Sequence, residues 1–125
     1  MIGTDEALEY HNDIIDEFGG SKGIRDKAGL EAALARPYMT FDQQDLYPTA
    51  VEKAAAIFES LIINHPFIDG NKRTAYVLLR LTLLDEDLDI DAGQDEKYLM
   101  SIAASMGEIN FDQIKDWLSQ RLIKV

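Results

Sequence analysis

The stretch His65-Pro66-Phe67-Ile68-Asp69-Gly70-Asn71-Lys72-Arg73-Thr74 decides how this chain is read. Upstream of it, Ala54, Phe58, Leu61, Ile62 and His65 recur at steps of three and four, the spacing of one helical face. His65 is thus expected to continue the buried face of that helix at its final turn. Downstream, helix resumes near Asn71, and Ala75 to Leu84 is apolar over most of its circumference. A helix apolar nearly all round belongs in the centre of a fold. The decapeptide is therefore expected to be a loop held at both ends by core helices.

Working outward towards the start, Thr49-Ala50-Val51-Glu52 forms a capping box for the upstream helix, with threonine at the cap and glutamate three residues on. Before it, Tyr38 to Pro48 carries no periodicity. Two readings stay open there: a functional loop, or a surface connection pinned by Phe41 and Tyr47. A short helix starting near Asp26 carries Leu30, Ala33 and Leu34, and Pro37 stops it. The first helix opens at Thr4-Asp5-Glu6, a capping hydroxyl followed by acids, and aligns Leu8, Ile14, Ile15 and Phe18 before Gly19-Gly20 ends it. His11 lies near its apolar face and reads as a boundary residue outside the site.

Towards the end, acids cluster from Asp85 to Asp95 in a turn-rich crossing with at most a trace of extended structure. A helix through Tyr98, Leu99, Ile102, Ala103 and Met106 breaks at Gly107. Asn110 with Gln113 makes a second capping box, and the last helix shows Ile114, Trp117, Leu118 and Leu122 on one face. The expectation is an all-α single domain over residues 1–125, a bundle of about six helices with the loop between two central ones.

Composition narrows the function classes. An apolar fraction of 46% suits a globular chain. With no cysteine there is no disulfide framework and no thiolate metal site. No charged-then-apolar leader opens the chain and no apolar run is long enough to span a bilayer, so a soluble, cytoplasmic protein is expected. A net charge of −11 argues against direct nucleic-acid binding, which needs a basic stripe. It leaves open a plain solvated surface or a basic partner.

The chemistry sits in the loop. The first turn of a helix leaves backbone N–H groups unpaired and adds partial positive charge, which suits an anion. Gly70 lets a phosphate approach without a Cβ in the way. Lys72 and Arg73 add full charges, and arginine offers a planar fork for phosphate oxygens. Thr74 completes the turn as a further candidate phosphate contact. Asn71 either bonds its own backbone or bonds the ligand. Asp69 is the candidate ligand for Mg²⁺, which prefers one or two carboxylates plus phosphate oxygens. His65 is the candidate general base. Base, metal and anion cradle together are the parts of phosphoryl or nucleotidyl transfer.

The order of these residues resembles the signature of the Fic/Doc superfamily. The Fic pattern His-x-Phe-x-(Asp/Glu)-Gly-Asn-Gly-Arg is matched at His65, Phe67, Asp69, Gly70, Asn71 and Arg73. It departs at Lys72, where Fic proteins have glycine, and at Tyr76, where they carry a further arginine. Both departures resemble the Doc (death-on-curing) branch, whose loop reads Asn-Lys-Arg. Gly19-Gly20, Leu30 to Pro37, Tyr47-Pro48 and Lys53-Ala54-Ala55 also resemble family segments. The resemblance implies an all-helical toxin that uses ATP and Mg²⁺ to phosphorylate elongation factor Tu, restrained by an antitoxin whose disordered tail folds onto it. Two alternatives stay open: a Fic-like transferase of AMP, and a binding module without turnover. The nearest match to the self-inhibitory Fic helix, Thr82 to Glu86, is followed by Asp87 and falls in a core helix, which reads as chance.

Overall fold

The computed structural model describes all 125 residues. Six helices follow one another: α1 (Thr4–Phe18), α2 (Lys27–Ala35), α3 (Ala50–Asn64), α4 (Asn71–Leu84), α5 (Gln94–Ser105) and α6 (Phe111–Ser119). The expected count is met. A 3₁₀ turn, Arg36–Tyr38, extends α2 through Pro37.

α3 and α4 are the central pair, as their apolar circumference requires. α3 buries Ala50, Val51, Ile57, Phe58, Leu61 and Ile62, with Ala54, Ala55 and Ala56 lying fully inside. α4 meets it with Ala75, Leu78, Leu79 and Leu83. α2 packs on α3 through Leu30, Ala33 and Leu34, and α6 through Ile114 and Leu118. Hydrophobic burial of this kind stabilises by about 25 cal/mol per Å² of apolar surface removed from water. It also fixes where the α3–α4 loop must lie.

The caps set the element ends. The Asp26 carboxylate accepts from Gly29 N at 2.9 Å and starts α2. Asn110 and Gln113 form the reciprocal capping box that starts α6. Thr49 caps α3 by accepting from Glu52 N at 3.2 Å, but the Glu52 carboxylate takes the Thr49 hydroxyl at 2.8 Å instead of the cap's backbone N–H. Only half of that box closes. At α1 the cap is Gly3, in extended conformation, and Thr4 is already helical, so no hydroxyl cap forms.

The helical fold is as expected and carries two small additions of strand. The Tyr38–Pro48 stretch folds into a hairpin of β1 (Thr40–Phe41) and β2 (Gln44–Asp45), whose turn residues Asp42 and Gln43 both have positive φ. Two such residues in a row make the tight turn that matches strand twist. Phe41 is 75% exposed and pins nothing. Tyr47 is the anchor, its hydroxyl accepting from Arg36 Nε at 2.9 Å. In the second place, β3 (Leu88–Ile90) pairs antiparallel with β4 (Leu122–Lys124), so Leu122 leaves the α6 face for a strand. Strands of two or three residues are too short to display an alternating pattern.

β3 is tied to α4 by a two-pronged ion pair. Arg80 Nε donates to Asp89 Oδ1 at 2.9 Å and Nη2 to Oδ2 at 2.7 Å. The Arg80 hydrogen bonds hold the Asp89 carboxyl below its ordinary range, with the Ile90 N–H assisting. A carboxylate with a depressed folded pKa contributes stability above its unfolded pKa and loses it as pH falls through the folded value. Asp89→Asn is therefore expected to lower stability at neutral pH and to shrink the loss on acidification. Urea unfolding at neutral and acid pH measures this. Equal pH dependence in both proteins would remove the pair from the account.

Candidate active site

α3 ends where its hydrogen-bond ladder stops. His65 caps it in the left-handed conformation (φ 49°, ψ 53°), its N–H still bonded to Leu61 O at 3.1 Å. The expectation that His65 continues the buried face is corrected here. The left-handed turn takes it off the helical register just before Pro66, and it is exposed. Its ring makes no hydrogen bond to the protein. Arg25, which the sequence reading passed over, closes the helix end: Nε donates to His65 O and Nη2 to Asn64 O, both at 3.0 Å. A guanidinium there also meets the negative end of the helix dipole.

The segment after α1 straps the loop down. Arg25 N and Asp26 N donate to Pro66 O at 2.7 and 3.0 Å, Ile68 N donates to Gly23 O at 3.1 Å, and Ile24 bridges Phe67. Gly23 has positive φ, and a Cβ there would meet the Ile68 side chain at 2.9 Å.

Asn71 takes the first of its two open roles. Its buried side chain accepts from Phe67 N and donates to Phe67 O, each at 2.9 Å. Both ends bond the loop, so the side chain sets the loop's shape. Gly70, with φ of 73°, caps α4 without a side chain. Thr74 N returns to Gly70 O at 3.0 Å, while the N–H groups of Asn71, Lys72 and Arg73 donate to nothing in the protein. Thr74 itself is fully buried, so its placement among phosphate contacts is corrected: its side chain faces the core.

The exposed Asp69 carboxylate is held by two backbone N–H groups. Its Oδ1 accepts from Gly70 N at 2.9 Å and its Oδ2 from Ser21 N at 3.3 Å. The Gly19-Gly20 turn lies so close that a Cβ on Gly20 would come within 2.6 Å of Oδ2. The Asp69 carbonyl accepts from Nε2 of His11 at 2.7 Å. His11 is completely buried, and its ring stacks on Phe67 at 4.0 Å. Reading His11 as a boundary residue is thus corrected. The signal was a histidine on an apolar face, but its partner lies 58 residues away.

Lys72 and Arg73 are exposed on the first turn of α4. The Arg73 guanidinium lies 4.0 Å over the Phe18 ring, a cation–π contact that orients it. Both residues border an open cleft of about 330 Å³ whose far wall is Gln94, Lys97, Tyr98 and Ser101 of α5. Lys97 stands 5.6 Å over the ring of Tyr76, so α5 brings a cation to the place where the Fic pattern has its further arginine. Burial pushes the Tyr76 phenol up to about 12, which keeps it neutral. None of the three cations forms an ion pair, in a chain with 23 acids against 12 bases.

No three acids or histidines converge to hold a metal by themselves. Asp69 offers one carboxylate whose two bonds leave lone pairs on both oxygens. That donor set fits a Mg²⁺ ion brought in with phosphate oxygens. No helix is long and apolar enough to cross a membrane.

A helical core that presents such a loop defines a class, and the comparisons agree: the model of the Fic/DOC family matches residues 2–83, and the chain belongs to that family. Among individual proteins it is similar to Toxin Doc of Mycolicibacterium smegmatis, with 43% identity over 84 residues. That alignment takes in 62% of this chain and 65% of the relative, so it spans just under two-thirds of that protein's length.

Proposed function

We propose that this chain is a Doc-type toxin, a Mg–ATP-dependent kinase that phosphorylates a hydroxyl of a translation factor and so arrests protein synthesis. One observation carries the reading. A single loop, locked by Asn71, joins an uncommitted imidazole to a helix start with three free N–H groups and two unpaired cations. The likeness to a protein named Toxin Doc supports the toxin class. The resemblance of Asn71-Lys72-Arg73 to the Doc signature supports elongation factor Tu as the proposed target and an antitoxin as the restraining partner, with the cytoplasm as the proposed place of action.

In this reading the triphosphate lies against the start of α4, countered by Lys72 and Arg73, with the cleft towards α5 taking the rest of the nucleotide. His65 accepts the proton of the target hydroxyl as that oxygen bonds to the γ-phosphorus. The bond from the γ-phosphorus to the β–γ bridging oxygen breaks, and ADP leaves with that electron pair. Bound Mg²⁺, with Asp69 as its carboxylate, supplies charge neutralisation at the phosphate oxygens.

The test is incubation with cell lysate and ATP labelled at the α- or the γ-phosphate. Label on protein from the γ position alone supports the kinase. Label from the α position supports AMP transfer, and none from either supports a binding module. Lys72 gives the same assay a sharper edge, because it stands where the Fic pattern has glycine. Lys72→Met removes the charge and keeps the bulk. It is expected to lower γ-transfer roughly tenfold to a hundredfold, the worth of one charged hydrogen bond of about 1.5–3 kcal/mol. Lys72→Gly should lower it as well and open some AMP transfer, since the loop then reads Gly-Asn-Gly-Arg. Identical losses with no AMP transfer in either variant would make Lys72 one more phosphate contact.

A further inference from the structure

We infer that His11 is a positioning residue for this site, setting the Asp69–Gly70 peptide through a single hydrogen bond from α1. The inference rests on the reading of Asp69 as the residue that meets metal and phosphate. His11 is buried completely, yet only one of its ring nitrogens has a partner. Nε2 lies 2.7 Å from the Asp69 carbonyl oxygen, which can only accept, so the proton is on Nε2. Nδ1 is then a buried acceptor without a protein partner. A phenylalanine or leucine would fill this position with no orphaned atom. A buried polar group with an unmet lone pair calls for a reason, and the bond to Asp69 supplies one.

That bond reaches the chemistry in two steps. The carbonyl of Asp69 and the N–H of Gly70 belong to one planar peptide, so holding the carbonyl fixes the direction of the N–H. The N–H in turn holds Asp69 Oδ1 at 2.9 Å. Ile15, four residues after His11 and on the same face of α1, forms the rest of the floor: a Cβ on Gly70 would meet Ile15 Cδ1 at 3.1 Å and His11 Nε2 at 3.7 Å. The stack on Phe67, at 4.0 Å and 6° between planes, keeps the imidazole in the plane the bond requires. Phe67 is itself clasped through its N–H and C=O by Asn71. His11, Phe67 and Asn71 thus form one buried brace beneath the loop, and the exposed Asp69 is held on it through its carbonyl.

Two variants separate positioning from packing. His11→Phe keeps a flat ring against Phe67 and removes the donor. His11→Gln can place an amide N–H near the position of Nε2. In protein that remains folded, His11→Phe is expected to raise the Mg²⁺ concentration needed for nucleotide binding by about tenfold to a hundredfold, the usual cost of losing a partner behind a ligand. Its kcat should fall by a similar factor, and His11→Gln should restore most of both. Calorimetric titration of Mg–ATP reads the first quantity without any turnover. A folded His11→Phe protein with unchanged Mg–ATP binding and kcat would overturn the inference, as would His11→Gln behaving no better than His11→Phe. The wild-type protein offers a test that no folding defect can obscure. Long-range ¹H–¹⁵N correlation should show the His11 proton on Nε2, and a proton on Nδ1 would contradict the bond directly. Failure of the kinase reading is distinguishable: wild-type protein would then transfer no γ-phosphate, whatever the His11 tautomer.

Discussion

Replacing His65 with alanine is expected to cut γ-phosphate transfer by about 10² to 10⁴, the range for removing a general base, while the protein keeps its fold. The structure makes both halves of that expectation specific. His65 is exposed and its ring bonds to nothing, so its loss leaves no cavity and no orphaned partner. What the backbone contributes at this position, the carbonyl taken by Arg25, is retained in the variant. The strain of a left-handed residue is present with either side chain, so stability should change little. The measurement is single-turnover transfer alongside urea unfolding. Near-normal transfer by a folded variant would leave His65 as a helix end and remove the proposed base.

The second large effect is on folding. Asn71→Ala is expected to destabilise the protein by about 2–6 kcal/mol, because it strips both the N–H and the C=O of buried Phe67 of their partners at about 1–3 kcal/mol each. Domains of this size have only about 5–15 kcal/mol in total. The side chain that resembles a ligand contact in the motif is thus expected to act mainly through the loop. Whatever fraction of the variant stays folded should bind nucleotide poorly, since the start of α4 is no longer tied to the turn before it. Urea unfolding measures the stability. A loss below about 0.5 kcal/mol, the level of an ordinary surface substitution, would show that the clasp is dispensable.

The two predictions also mark where sequence was a sufficient guide. The position of the loop was legible because it depends on local rules: a cap at Thr49, helical spacing up to Ile62, a proline at 66, and a continuous apolar run after Asn71. The surroundings of each side chain were less so. Periodicity carried His65 one residue past the point where α3 ends, and a left-handed cap reverses what the spacing implies. Thr74 was grouped with its neighbours in sequence, but on a helix its direction is set by the 3.6-residue turn, which sends it into the core. His11 and Arg25 reach the loop, and Lys97 the cleft beside it, from distant parts of the chain, and no pattern within one helix reveals a partner tens of residues away. The short strands escaped for a different reason. β3 and β4 are defined by each other, and neither three-residue segment carries a signal alone.

The central claim is that this loop moves the terminal phosphate of ATP onto a protein hydroxyl with His65 as the base. Intact-mass spectrometry of purified elongation factor Tu, after incubation with the protein, ATP and Mg²⁺, tests it most directly. The predicted result is the gain of one phosphoryl group, lost when His65→Ala replaces the wild type. Gain of an adenylyl group, or a phosphoryl gain that survives the loss of His65, would contradict it.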